Sequence, residues 1–344
     1  MISLLALLII CFIASLTLTG VLKWYAEHRL MDEPCHRSSH QHPTPSGGGM
    51  AIVLTYLFMA PIIVLFLLQP LEMFDSAFLL VWFGALAIAL VGFIDDHVDL
   101  SARIRLIIQA LVSCSVVWAL GGFSVIEIAG IKLTLYWWLG FLLAWIGVIW
   151  FINLYNFMDG IDGLAGAEAL IVCVVMAALY FIDDKQWTYN IGLVLIVAMA
   201  SAGFLCWNFP PAKIFMGDGG SGFLGLTLAS LMLIDAISDP KYLWVWLVML
   251  GVFVVDATWT LLSRYIHNCK LSEAHRTHAF QYAVRQVQSH KKVTLAVVAI
   301  NLFWLTPIAV LIVLGLLDGF IGMVISYIPL CYLAYHFNAG VPEK

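Results

Sequence analysis

The sequence predicts an all-α polytopic membrane protein of about ten or eleven transmembrane helices, built as a single integral-membrane domain over residues 1–344. Three observations predict it. Of the 344 residues, 63% are hydrophobic and only 11% charged, with a mean hydropathy of +0.99; soluble domains carry about a quarter charged residues, so a water-soluble fold this poor in charge would lack a surface. Apolar runs of about 20 residues, the length that crosses a hydrocarbon core, recur along the whole chain. Lys and Arg fall almost entirely on alternate loops, as the positive-inside rule requires.

The runs place helices at 3–22, 50–69, 77–94, 105–122, 139–156, 164–182, 189–207, 222–237, 243–262, 293–315 and 317–337. The eighth is short, and only Leu317-Asp318-Gly319 separates the last two, so the count lies between ten and eleven. Met1–Gly20 has no basic start and no small-residue cleavage site, and reads as a retained first helix. One set of loops carries Lys23, Arg29, Arg37, Arg103, Arg105, Lys213, Arg264, Lys270, Arg276, Arg285, Lys291, Lys292 and Lys344; the other carries Lys132, Lys185 and Lys241. That asymmetry assigns the first set to the cytoplasm. The outer loops hold Tyr136, Trp137, Trp138, Trp187, Tyr189, Tyr242 and Trp244, expected as an interfacial aromatic belt.

The net charge of -5 gives no reason to expect a nucleic-acid partner. The seven cysteines contain no CxxC pair and indicate neither a disulfide framework nor a zinc ribbon.

Every chemistry-bearing cluster lies on the basic side. The first runs Asp32-Glu33-Pro34 through Arg37-Ser38-Ser39-His40 to Pro43-Thr44-Pro45-Ser46-Gly47-Gly48-Gly49: a stiff turn into the second helix, or a backbone able to approach a ligand. The second, Asp95-Asp96-His97-Val98-Asp99, ends the third helix and is followed by Arg103 and Arg105. Carboxylates packed this closely repel unless a cation, a proton or an arginine offsets them. The third, Asn153 to Ala165, sets Asn153 with Asn156 and Asp159 with Asp162 at i,i+3, with nothing basic inside the segment.

The fourth, Pro210 to Gly222, is a glycine-rich turn opening a helix. Its amides suit a phosphate, and Asp218 within it suits a metal bridging that phosphate. Walker spacing is absent. The fifth, His267 to Arg285, offers His275, Arg276, Thr277, His278, Gln281 and Arg285 to a pyrophosphate or sugar; a basic surface helix and an HxxH zinc pair are the alternatives. Only Asp256 lies deep within a span, where pairing with Arg264 would orient the loop that follows.

Carboxylates, a phosphate-friendly turn and cations together imply metal-assisted phosphoryl transfer on a lipid substrate, since Mg²⁺ typically takes one or two carboxylates plus substrate phosphates. A secondary transporter would put its polar groups near the bilayer midplane, and an intramembrane aspartyl protease needs two facing aspartates inside the membrane. Neither matches acids gathered at helix ends.

In this light the chain resembles the polyprenyl-phosphate N-acetylhexosamine-1-phosphate transferases, glycosyltransferase family 4, a superfamily that includes the phospho-MurNAc-pentapeptide translocase. The segments carrying the resemblance are DEPxxRSSHxxPTPxGGG (32–49), DDHVDLSARIR (95–105), NLYNFMDGIDGLAG (153–166), PPAKIFMGDGGSGFLG (210–225), VVDATWTLLSR (254–264) and HRTHAFQ (275–281). The resemblance implies that Asp218 binds Mg²⁺, with Mn²⁺ as a substitute ion. It implies that Asp95 and Asp96 lie near the polyprenyl (undecaprenyl) phosphate, one of them deprotonating it. Asn156, Asp159 and Asp162 would line the nucleotide pocket, and His275, Arg276 and His278 would contact the diphosphate and sugar of a UDP-N-acetylhexosamine. The HRTHAFQ segment departs from the translocase and looks like the O-antigen-initiating branch. The implied setting is a bacterial inner membrane with the site facing the cytoplasm. Monomer or homodimer is left open, as are direct displacement or an aspartyl-phosphate intermediate.

Overall fold

The computed structural model describes residues 2–33, 42–67, 76–184, 189–270 and 275–342. Pro34, Arg37, Ser38, Ser39, His40, Lys185, Trp187 and Lys344, named above, lie outside the described residues. The helices are α1 (Ile2–Arg29), α2 (Met50–Leu67), α3 (Ser76–Val98), α4 (Ala102–Leu120), α5 (Trp137–Met158), α6 (Leu164–Asp184), α7 (Tyr189–Asn208), α8 (Asp218–Ser238), α9 (Lys241–Met249), α10 (Gly251–Ile266), α11 (Ala279–Val287), α12 (His290–Ile300), α13 (Thr306–Val313) and α14 (Gly319–His336). Two antiparallel ribbons are added: β1 (Met31–Asp32) with β2 (Thr44–Pro45), and β3 (Val125–Ile128) with β4 (Ile131–Thr134).

The chain is an all-α polytopic membrane protein, as expected for a backbone that must satisfy its own hydrogen bonds in lipid. Among the described residues nine helical runs are long and apolar enough to cross a membrane: α1, α3 to α8, α12–α13 and α14. The α9–α10 pair, bent by 76°, makes ten if it is one span. It was expected as a single helix at 243–262. α2 is apolar too, and shorter within its described side chains. The α12–α13 run contains a π-helical turn at Asn301–Leu305.

α8 lies at the centre, between α3 and α5, buried over most of its length. Small residues allow this closeness. A Cβ on Gly92 of α3 would stand 2.4 Å from the Asp218 carbonyl, and one on Gly49 would stand 2.6 Å from the Gly220 Cα. The starts of α2 and α8 and the end of α3 are therefore pressed together.

Two expectations are corrected. Tyr136, Trp137 and Trp138 are exposed as an aromatic belt requires, but Tyr242 and Trp244 are buried. Their polar tips find protein partners: the Tyr242 hydroxyl donates to Asp183 (2.9 Å) and Trp244 Nε1 to the Glu127 carbonyl (2.6 Å). Asp256 is also not the only deep acid. Asp235 of α8 accepts from Tyr180, Asn190 (2.7 Å) and Trp246 (2.7 Å), and Glu168 of α6 accepts from Asn301 at the π turn. Each is paired across helices, which is how a polar group is accommodated at such depth.

Candidate active site

The ends of α1, α3, α5 and α7 and the starts of α4, α6, α8 and α12 meet on one face. They surround a cavity of about 730 Å³ whose lining includes Asp32, Asp95, Asp96, Asp159, Asp162 and Asp218. The first and fourth clusters form its wall as one unit. Gly48 N donates to Phe215 O, Gly49 N to Met216 O and Phe215 N to Pro45 O, each at 2.8 Å. The glycines of 47–49 serve this close approach of two backbones.

Asp218 is held through both carboxylate oxygens. Asn156 Nδ2 donates to its Oδ1 at 2.9 Å and Arg105 Nη1 to its Oδ2 at 2.9 Å. The same Arg105 nitrogen donates to Asp95 Oδ2 at 2.5 Å, and Asp95 Oδ1 accepts from the Leu100 amide at 2.6 Å. Ser101 caps α4 and sets Arg105 on its first turn, aimed back at the end of α3.

Asp96 corrects the reading of the glycine-rich turn. The first amides of a helix are natural anion donors, but those of α8 are occupied. Asp218 N (2.9 Å) and Gly219 N (3.5 Å) donate to Asp96, while Gly220 N and Ser221 N donate to the Gly217 carbonyl. Asp96 takes the anion's place at this helix end.

Asp159, at the end of α5, faces the same cavity. Burial raises its carboxyl well above the usual carboxylate range, and the charges of Asp218, Asp96 and Asp162 add to that. Asp162 is held from three directions: Oδ1 lies 3.0 Å from His290 Nδ1, Oδ2 accepts from Ala212 N at 3.0 Å, and its carbonyl accepts from Thr294 at 2.9 Å. Burial opposes ionisation there, yet the hydrogen bonds from His290 and Ala212 prevail and lower its pKa. Asp162 ties the α5–α6 loop to the α7–α8 loop and to α12.

A second cavity of about 420 Å³ adjoins the first, sharing Asp162, Phe215, Gln281 and His290 and lined by His42, Arg276 and Arg285 as well. Arg276 is thus placed beside the acidic site. His275 and His278 stand behind it, stacked at 5.1 Å. Burial, reinforced by His278 and Arg264, lowers the His275 pKa to about 3. Its Nδ1 lies within 3.4 Å of the Thr277 amide, which donates to a neutral ring.

His278 Nδ1 lies 3.2 Å from Asp256, which also accepts from Ala279 N (2.9 Å) and Phe280 N (3.0 Å). Asp256 therefore orients the loop by capping α11. Arg264 is not its partner and instead donates to the Lys270 carbonyl at 3.0 Å.

The donors around Asp218 are hard carboxylate oxygens with a surplus of negative charge, a set that fits Mg²⁺ or Mn²⁺. Among the described residues no three His, Cys, Asp or Glu side chains converge into a metal cage. An ion here would rest on Asp218 and complete its shell from phosphate and water.

Sequence reasoning named Arg105 only as a basic neighbour and passed over His290. Arg105 was detectable in principle as one of the two arginines that follow the acid pair. His290 carried no signal, being 128 residues from Asp162.

Residues 78–236 match the family described as glycosyl transferase family 4. The chain is 27% identical over 307 residues, 88% of this chain and 83% of the relative, to a probable undecaprenyl-phosphate N-acetylglucosaminyl 1-phosphate transferase of Bacillus subtilis. It is 30% identical over 235 residues, 67% of this chain and 66% of the relative, to the undecaprenyl-phosphate alpha-N-acetylglucosaminyl 1-phosphate transferase of Thermotoga maritima. It is 29% identical over 282 residues, 76% and 79%, to a phospho-N-acetylmuramoyl-pentapeptide-transferase of Streptococcus pyogenes. With the membrane fold these matches place it: the chain belongs to glycosyl transferase family 4, the polyprenyl-phosphate N-acetylhexosamine-1-phosphate transferase superfamily.

Proposed function

We propose that this protein transfers an N-acetylated amino-sugar 1-phosphate from a UDP-sugar to undecaprenyl phosphate, releasing UMP, at the cytoplasmic face of a bacterial inner membrane. The carrying observation is the placement of Asp218 against Arg105 and Asn156 in an acidic cavity at the helix ends. The names of the relatives from Bacillus and Thermotoga support the acceptor and the reaction.

A phosphate oxygen of the lipid attacks the β-phosphorus of the donor. The bond from that phosphorus to the oxygen bridging to UMP breaks, and UMP carries the electron pair away. Asp218 would hold Mg²⁺, which when bound offsets charge on the diphosphate. Such reactions depend mainly on positioning and charge stabilisation. Asn156 orients Asp218, Arg105 supplies a cation next to the acid pair, and Asp95 and Asp96 set the electrostatics around the acceptor phosphate. Direct displacement is favoured over an aspartyl-phosphate route because it needs no covalent intermediate on a carboxylate that must also serve the acceptor phosphate. The HRTHAFQ segment supports an initiating role in O-antigen or a related cell-surface polysaccharide.

The test is UMP release by purified protein with undecaprenyl phosphate, Mg²⁺ and a panel of UDP-amino sugars. Release that needs both lipid and metal is expected. No release with any donor of the panel would overturn the reading.

A further inference from the structure

Asp218 has a cation on it already. Arg105 Nη1 stands 2.9 Å from its Oδ2, held from behind by Asp95 at 2.5 Å. A divalent ion on Oδ2 and a guanidinium on the same oxygen repel each other, so the ion must displace the arginine or bind weakly beside it. Arg105 has somewhere to go. Its side chain is 34% exposed and lines the cavity, and Asp95 anchors it while it turns. A phosphate oxyanion entering the cavity offers a guanidinium a stronger, two-pronged partner than one shared carboxylate oxygen.

We propose that Arg105 makes metal and phosphate binding interdependent: it covers Asp218 while the cavity holds no phosphate, and moves onto a phosphate oxyanion when one arrives, uncovering Asp218 for the ion. This rests on the reading that Asp218 carries the metal. The coupling is reciprocal, so the ion tightens phosphate binding by the same factor. The site is thereby kept from holding a charged ion with nothing to act on. The phosphate can come from the acceptor lipid or from the donor's diphosphate, and each offers the same oxyanion.

The test is Mn²⁺ binding to the purified full chain, read from the free-ion EPR signal. It is run with no phosphate, with undecaprenyl phosphate alone, and with UDP-N-acetylglucosamine alone, so that no turnover occurs. In the native chain one or both phosphates should tighten Mn²⁺ by roughly 5–150-fold, and the arm that does so identifies the source. Arg105→Gln should bind Mn²⁺ more tightly than the native chain without phosphate and lose most of the tightening. The remainder comes from phosphate ligating the ion directly. Arg105→Lys, which keeps the charge but not the fork, should fall between.

Unchanged or weaker phosphate-free affinity in a monodisperse Arg105→Gln, or tightening as large as in the native chain, overturns the proposal. If that variant does not fold, absence of tightening in the native chain overturns it equally. Mn²⁺ bound and UMP released without coupling removes this inference alone; no bound ion and no UMP release removes the proposed function as well.

Discussion

Arg105 and Asp218, 113 residues apart in sequence, form an ion pair of 2.9 Å at the floor of the acidic cavity. The pair joins the first turn of α4 to the first residue of α8 and shows why the site tolerates so many carboxylates. Asp95 shares the arginine, Asp96 draws on the amides of α8, and Asp162 draws on His290 and Ala212. Burial also pushes the Asp96 carboxyl up to about 6 and that of Asp218 up to about 7; Asp159, with no such hydrogen-bond partner among the described residues, is likewise driven well above the usual carboxylate range.

Asp218→Asn is expected to abolish transfer while preserving the fold. The amide keeps the size of the carboxylate and one of the two acceptor oxygens that Asn156 and Arg105 use, but removes the charge that would hold the metal. Loss of that carboxylate should lower turnover on the order of a thousandfold or more. UMP release and size-exclusion behaviour of the purified variant check it; near-native turnover would remove Asp218 from the metal's ligands.

Asp95→Asn and Asp96→Asn are expected to weaken use of the lipid acceptor more than binding of the UDP-sugar. A lipid phosphate should lose its second proton near about pH 6, by analogy with phosphoserine. A base is then needed less as pH rises, and part of the lost activity should return at pH 8. Asp96→Asn should also loosen the start of α8, by about 0.5–1 kcal/mol for the lost charge at a helix N-terminus. Acceptor kinetics and donor affinity measured across pH separate these effects. A variant with sharply reduced donor affinity and unchanged acceptor kinetics contradicts the assignment.

Asp256→Ala is expected to destabilise the protein by about 2–4 kcal/mol, since the change leaves the amides of Ala279 and Phe280 and the His278 ring without their buried acceptor. Asp256→Asn keeps an acceptor oxygen and should cost less. Thermal unfolding and proteolysis within the 267–281 loop report the difference. Equal stability of the two variants would show that charge, not hydrogen bonding, is what Asp256 contributes.

His275 gives a pH dependence of defined sign. Its folded pKa lies below the unfolded value of about 6.5. The unfolded chain therefore takes up a proton that the folded chain refuses, and stability falls as pH drops from about 6.5 toward 3. Asp162 acts in a lower window, because its folded pKa is depressed: its contribution is present above about pH 3.9 and lost as pH falls through the folded value. His275→Gln should therefore flatten the decline in melting temperature between pH 7 and 5. An unchanged decline would place its cause elsewhere.

Much of this was legible in the sequence. Among the described residues each expected span falls largely on helix because a bilayer demands long apolar runs, though 243–262 is split in two, and the acids at 95–96, 159–162 and 218 converge because their helices end on one face. Hydropathy could not see the break at Leu250, since the run is apolar on both sides of it. Nor could it see partners distant in sequence. That Asp96 caps α8, that Asp256 serves α11 and not Arg264, and that Glu168 meets Asn301 at a π turn are all consequences of packing. The glycine turn at 217–220 carried a phosphate-loop composition, yet its amides face a carboxylate because α3 and α8 approach to glycine distance.

Donor choice is expected to reside in the segment from Lys270 to Arg285, of which 271–274 lie outside the described residues. On the proposed function the acidic cavity would take the diphosphate that all donors share, together with the metal. Discrimination among amino sugars needs donors and acceptors held near the ring, and a site built to hydrogen-bond one group can reject an analogue lacking it by several orders of magnitude. The neighbouring cavity has that character: Arg276, Gln281 and Arg285 come from this segment and His290 from the helix after it. The segment is also held firmly enough to discriminate. Asp256 fixes the start of α11, Gln281 Oε1 accepts from His278 N at 3.1 Å, and the tail clamps it through Gly340 N to Thr277 O and the Tyr282 hydroxyl to Val341 O, both at 2.7 Å. Replacing residues 270–285 by the segment of a relative that uses another UDP-amino sugar should move sugar preference while leaving UMP release and the metal requirement intact. A chimera that stays active and keeps the parental preference would place the determinants elsewhere, with His42 and His290, the neighbours left unchanged by the exchange, as the next residues to vary.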